Sequence, residues 1–218
     1  FVFFFITIAI NFYVVSKGLT AGIERLAKIG MPILFVFAAI LVVRVLTLGT
    51  HDVMVDGVLT QSSPIDGLNF MYTPNWSLLG NPKVWLAATG QIFFTLSVGM
   101  GSLQAYASYL KKKDDIALSG IATAATNETA EVVLGGSLAI PAIVAFFGVA
   151  GATAIAKGGS FDLGFIAMPL VFNQLPGGAV MATAAGVMWF GLLFFAGITS
   201  SVAMATPALS FVEENFGW

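Results

Sequence analysis

The chain has no cysteine and only one histidine, His51, among its 218 residues. The first absence excludes disulfides, thiolate metal sites and a cysteine nucleophile, and the second excludes a metal cluster built on histidines. Charge is scarce as well, at 9% of residues where soluble domains carry roughly a quarter. The net charge of −2 removes the basic surface that a nucleic-acid partner needs. The sequence has no phosphate-binding loop, no Gly-x-Ser-x-Gly elbow and no zinc-ligand spacing. It also has no short repeat, no low-complexity linker and no sign of a second, soluble domain. What remains is apolar: 58% of residues are hydrophobic and the mean hydropathy is +0.94. An all-α integral membrane protein is expected, because about 20 apolar residues in a helix cross ~30 Å of hydrocarbon. Phe1 stands inside an apolar run, with neither a methionine nor a charged leader before it. The sequence is therefore expected to be an internal piece of a longer protein rather than one opening on a signal peptide.

Five apolar segments are marked by flanking charges and turn residues: Phe1 to Val15, Met31 to Leu48, Val84 to Leu110, Ile116 to Val149 and Ala179 to Leu209. The third would be about 40 Å long as a helix, so it must tilt or break. The fourth is longer and carries Pro141 near its far end. Lys17, Arg25 and Lys28 follow the first segment and Lys111, Lys112 and Lys113 the third, whereas the alternate loops hold only Lys83 and Lys157. That bias puts the first pair of loops in the cytoplasm, with Glu213 and Glu214 on the same side. Arg44 lies close enough to a segment end to snorkel to the interface. The external connection Gly49 to Lys83, with His51, Asp52, Asp56 and Asp66, is expected to be an ordered loop. Residues Phe161 to Phe172 are too apolar for a solvated loop and too short to span, which suggests a re-entrant or capping hairpin.

Polar residues inside the apolar segments are the candidates for function. Thr95, Ser97, Gly99 and Gly101 interrupt the third segment, and an unwound stretch at membrane depth persists only where protein, water or an ion takes up its backbone groups. Its free carbonyls from Leu96 to Gly99 and the hydroxyls of Thr95, Thr199, Ser200 and Ser201 are oxygens suited to a hard cation such as sodium. The bland alternative is that these small residues pack and bond their own helices. The ends of the two half-helices offer opposite poles that match a zwitterionic amino acid, with Phe94 and Met100 as apolar contacts. Glu128 and Glu131 lie within the fourth segment, where a carboxylate is costly, and Glu131 is four residues from Asn127 on an expected shared face. They are candidates for cation coordination or proton relay; a Glu128 near the cytoplasmic end could equally just meet water.

Four blocks point to a family. Gly22-Ile-Glu-Arg-Leu-Ala-Lys-Ile-Gly-Met-Pro32, Val84 to Gly101, Asn127-Glu-Thr-Ala-Glu-Val-Val-Leu-Gly-Gly-Ser137 and Leu193-Phe-Phe-Ala-Gly-Ile-Thr-Ser-Ser201 resemble the neurotransmitter:sodium symporter family, in particular its bacterial amino-acid members of the LeuT type. The resemblance runs along nearly the whole chain. It implies a LeuT-type inverted-repeat transporter, present in part as family helices four to eight of twelve, one of them broken, plus a re-entrant extracellular hairpin. Residues 1–48 would end the first repeat, 49–83 form an extracellular loop, 84–209 start the second repeat and 210–218 lie in the cytoplasm.

By the same resemblance, Thr95 and Asn127 belong to a first sodium site. The carbonyl of Ala196 and the hydroxyls of Thr199 and Ser200 belong to a second. Phe94, Thr95, Ser97, Met100, Ser200 and Met204 would line the substrate pocket, with Phe94 as its lid. Glu131, beside Gln91, would supply the negative charge that chloride provides in animal members. The expected activity is chloride-independent, sodium-coupled symport of an apolar or aromatic amino acid by alternating access, in a multi-pass cell-membrane protein of the bacterial inner-membrane kind. Partners are then the amino acid, sodium and the bilayer, with a homodimer left open. The rival readings are a non-transporting amino-acid receptor of the same fold, an intramembrane enzyme using Glu128 and Glu131, and a structural subunit.

Overall fold

A computed structural model describes residues 1–55 and 57–217, apart from the side chains of residues 19 and 20. Asp56, counted above among the acids of the external loop, lies outside the described residues. Three helical stretches are long and apolar enough to cross a membrane: Ala21–Leu46, Ile116–Ala156 and Gly178–Phe216. The other two of the five expected segments are helical as well, one short and one interrupted. The first segment forms the 15-residue helix α1 (Val2–Ser16). The third is divided into α4 (Pro82–Thr95) and α5 (Ser102–Ala107). Between them lie α2 (Arg25–Leu46), entered through a π-helical turn at Leu19–Glu24, and α3 (Pro64–Tyr72). Then follow α6 (Ile116–Glu128), α7 (Ser137–Ala156), α8 (Met168–Asn173) and α9 (Gly178–Phe216). α9 runs past the expected membrane boundary at Leu209, so Glu213 and Glu214 are helical.

The structure is mostly helical and departs from the all-α expectation at one place. The connection after α2 holds a two-stranded antiparallel hairpin, β1 (His51–Val55) and β2 (Val58–Ser62), with Val55 opposite Val58. The sequence between the two strands reads Asp-Gly, a strong short-range hairpin signal. Helix α3 follows directly because Pro64 occupies its first position and Ser63 with Asp66 forms a capping box. The Ser63 N–H donates to Asp66 Oδ2 at 2.8 Å.

The chain forms two compact units. One comprises Phe35–Pro74 and Glu128–Leu192. Its core is α7, where Leu138, Ala142, Ile143, Val144 and Ala145 are buried. Gly67 of α3 meets α7 so closely that a Cβ there would stand 2.5 Å from Pro141 Cα. Gly148, at φ 67 and ψ 171, breaks α7, and the side chains of Val53 and Val55 pack against the break. Ser62 Oγ donates to the Val144 carbonyl at 2.7 Å, satisfying an acceptor in the turn before the break. Beyond Gly148 the chain makes a helical hairpin: the second limb of α7, then a π-helical turn, Asp162–Ala167, running into α8. Trp189 Nε1 donates to the Gly164 carbonyl at 2.9 Å and pins that hairpin to α9. The stretch expected as a re-entrant or capping hairpin is helical.

The other unit comprises Phe1–Leu34, Asn75–Asn127 and the chain from Leu193 onward. Ser102, Ile198, Val202 and Thr206 are buried in it. α1 is mostly apolar, with Thr7 and Asn11 as the polar residues of its interior turns, and Phe3, Phe4 and Phe5 are exposed. Lipid tails are as apolar as these rings, so exposure there costs little.

Candidate functional site

The interruption is the best-defined local feature. Gly99 and Gly101 have φ of 85 and 83, in the left-handed region that glycine occupies without a Cβ clash. Ser97 shares that region at φ 54, which is uncommon for a residue with a side chain. The carbonyls of Phe93 and Phe94 accept the N–H groups of Val98 and Ser97, at 2.9 and 3.0 Å. Among the described bonds, the backbone carbonyls of Thr95 and Leu96 accept none. They are the acceptors that a broken helix sets free. α5 has only six residues, so its dipole is small, and any carboxylate held at Gly101 would rest on local N–H groups.

Asn127, in the last turn of α6, reaches this break. Its Nδ2 donates to Thr95 Oγ1 at 2.8 Å, and both residues are half-buried. The other arm of the amide is an oxygen, so the pair presents two side-chain oxygens beside the free carbonyls. Gln91 is exposed on α4. Past Asn127 the helix changes to a π-helical stretch, Thr129–Gly136, that contains an exposed Glu131. The change alters residues per turn, so the four-residue spacing no longer sets a common face for Asn127 and Glu131. Glu128 Oε1 is buried without a hydrogen-bond partner.

A second oxygen cluster sits on α9. Thr199 Oγ1 donates to the carbonyls of Phe195 at 2.8 Å and Ala196 at 3.1 Å, which brings two of the three expected ligands together. Thr199 and Ser200 open onto a cleft of about 670 Å³ that Met31, Tyr106, Tyr109 and Thr123 also line. Its size suits a small organic ligand. The two tyrosines were not among the candidates read from the sequence; Tyr106 is on α5 and Tyr109 in the turn that follows it.

The remaining pocket residues are not gathered. Phe94, Met100 and Met204 are 67%, 41% and 64% exposed. With Ser97, they line none of the three cavities described.

Comparison with known proteins decides the family. The model of the sodium:neurotransmitter symporter family matches residues 3–217. The chain belongs to that family. It is similar to an uncharacterized sodium-dependent transporter of Haemophilus influenzae, with 29% identity over 208 residues, 95% of this chain and 40% of the relative. A counterpart in Methanocaldococcus jannaschii, the uncharacterized sodium-dependent transporter MJ1319, is 32% identical over 211 residues, 93% of this chain and 38% of the relative. The sodium- and chloride-dependent GABA transporter ine of Drosophila melanogaster is 27% identical over 190 residues, 84% of this chain and 18% of the relative. The chain spans about two fifths of the length of the two prokaryotic relatives. Membership makes this symporter chain part of a multi-pass membrane protein, in a family of transporters and not of enzymes.

Proposed function

We propose that this symporter segment is the central part, family helices four to eight, of a LeuT-type transporter that couples sodium to amino-acid uptake by alternating access. Residues 1–48 close the first repeat, 49–83 form the outer loop, 84–209 open the second repeat and 210–218 lie in the cytoplasm. Thr95 and Asn127 hold the first sodium ion with the carbonyls freed at the break. The Ala196 carbonyl, Thr199 and Ser200 hold the second. Phe94, Thr95, Ser97, Met100, Ser200 and Met204 face the substrate, an apolar or aromatic amino acid. Its carboxylate completes the first sodium shell, so each ligand strengthens binding of the other by the same factor.

The observation that carries this reading is the Asn127 to Thr95 hydrogen bond. It joins a side chain from α6 to the residue where α4 unwinds. A carboxylate at Glu131 stands in for chloride and makes transport independent of that anion, with Gln91 as the second residue of that role. The test is counterflow of a labelled apolar amino acid in proteoliposomes, using a transporter of full family length that contains this chain. Exchange that requires sodium but not chloride supports the reading. Sodium-dependent binding without exchange would make the protein a receptor of this fold.

A further inference from the structure

A cavity of about 540 Å³ lies where α1 meets the start of α2, and none of the substrate or sodium residues is in its wall. Its wall includes Tyr13, Val14, Lys17, Arg25, Leu26 and Ile29. Two glycines fix its shape. Gly18, at φ 73, lets the chain turn back after α1. Gly22 lies against the Val14 carbonyl so tightly that a Cβ would collide with it. The cavity holds two cations and no carboxylate. Glu24, the acid next to Arg25 in sequence, is taken by Lys28 at 2.6 Å. Among the described residues, neither Lys17 nor Arg25 forms an ion pair. Lys17 Nζ stands 5.3 Å from the centre of the Tyr13 ring, a cation–π contact that keeps the ammonium at the cavity rim. The rest of the wall is apolar: Val14, Leu26 and Ile29.

We infer that this cavity binds the phosphate headgroup of an anionic phospholipid at the cytoplasmic surface, with Lys17 and Arg25 on the phosphate. The charge bias of the loops puts this turn on the cytoplasmic side, where basic pockets between membrane helices meet anionic headgroups. The planar guanidinium of Arg25 can bond two phosphate oxygens at once, while Lys17 contributes a point charge. Tyr13, amphipathic and exposed, has the chemistry of the membrane–water interface. The apolar wall receives the first carbons of the acyl chains, which a free phosphate lacks.

The test is native mass spectrometry of the full-length transporter purified with a mixture of phosphatidylglycerol and phosphatidylcholine. The protein is expected to retain phosphatidylglycerol selectively. The double variant Lys17→Gln/Arg25→Gln is expected to retain roughly thirtyfold less, the fold-change corresponding to about 2 kcal/mol for two interfacial cations. Lys111→Gln/Lys112→Gln removes equal charge from the next cytoplasmic loop and should leave retention unchanged. Lys17→Arg should retain the lipid, because it keeps the charge. Equal loss in both double variants, or no loss in the first, would overturn the assignment. Displacement of the lipid by excess inorganic phosphate would give the site to a free anion and overturn it too. The readout is bound lipid, so its failure leaves the sodium and substrate reading untouched.

Discussion

Replacing Asn127 by alanine should weaken sodium binding by a factor that follows from the hydrogen bond it makes. Asn127 Nδ2 donates to Thr95 Oγ1 at 2.8 Å in a half-buried setting. A neutral bond of this kind contributes about 0.5–1.5 kcal/mol. With the ion bound, the amide oxygen and the threonine hydroxyl both turn to a full positive charge, an interaction comparable to a hydrogen bond with a charged group, about 1.5–3 kcal/mol. The variant loses both, and only the difference, about 1–1.5 kcal/mol, appears in the sodium affinity. The sodium midpoint should rise roughly five- to thirteenfold. Thr95→Ala should act in the same direction, whereas Thr95→Ser keeps the hydroxyl and should stay close to the parent protein. The assay is a sodium titration of amino-acid binding in the full-length transporter, with potassium holding ionic strength constant. Midpoints within twofold of the parent in both alanine variants would refute the pairing of these residues at one ion.

Other outcomes follow from the same contacts. Gly67→Ala puts a Cβ 2.5 Å from Pro141 Cα, and since two backbones must separate, the thermal midpoint should fall by the equivalent of about 1–3 kcal/mol. Gly99→Ala meets no atom within 4 Å, so its effect is purely conformational; at φ 85 it should cost roughly 1–2 kcal/mol and lower amino-acid affinity, checked by equilibrium binding. Glu131→Gln removes the fixed charge; its transport should fall in chloride-free buffer and return when chloride is added.

How far the sequence reveals this molecule differs by region. The break after Thr95 was legible because Gly99 and Gly101 fall close together inside an apolar run, and they have the positive φ values that favour glycine there. The end of the fourth segment was legible to a residue or so: Val149 was marked, and Gly148 is the break. The strands His51–Val55 and Val58–Ser62 carry their own signal in alternating valines and threonine on either side of an Asp-Gly pair, but the acids of the same stretch point to an ordinary solvated loop. The π-helical stretches at 19–24, 129–136 and 162–167 have no local code of this kind, because an inserted residue is absorbed by the packing of neighbouring turns. At the candidate site, Thr95, Asn127 and Thr199 stand out as polar residues on apolar helices, whereas Ala196 and the pairing of these residues enter only through the family resemblance. The lining of the cleft by Tyr106 and Tyr109 was not, since it depends on where the chain turns after α5.

The most direct test of the account is uptake of a labelled apolar amino acid into proteoliposomes by the full-length transporter under an imposed inward sodium gradient. The account predicts concentrative uptake that collapses when potassium replaces sodium and persists when gluconate replaces chloride. Uptake that is indifferent to sodium would contradict it.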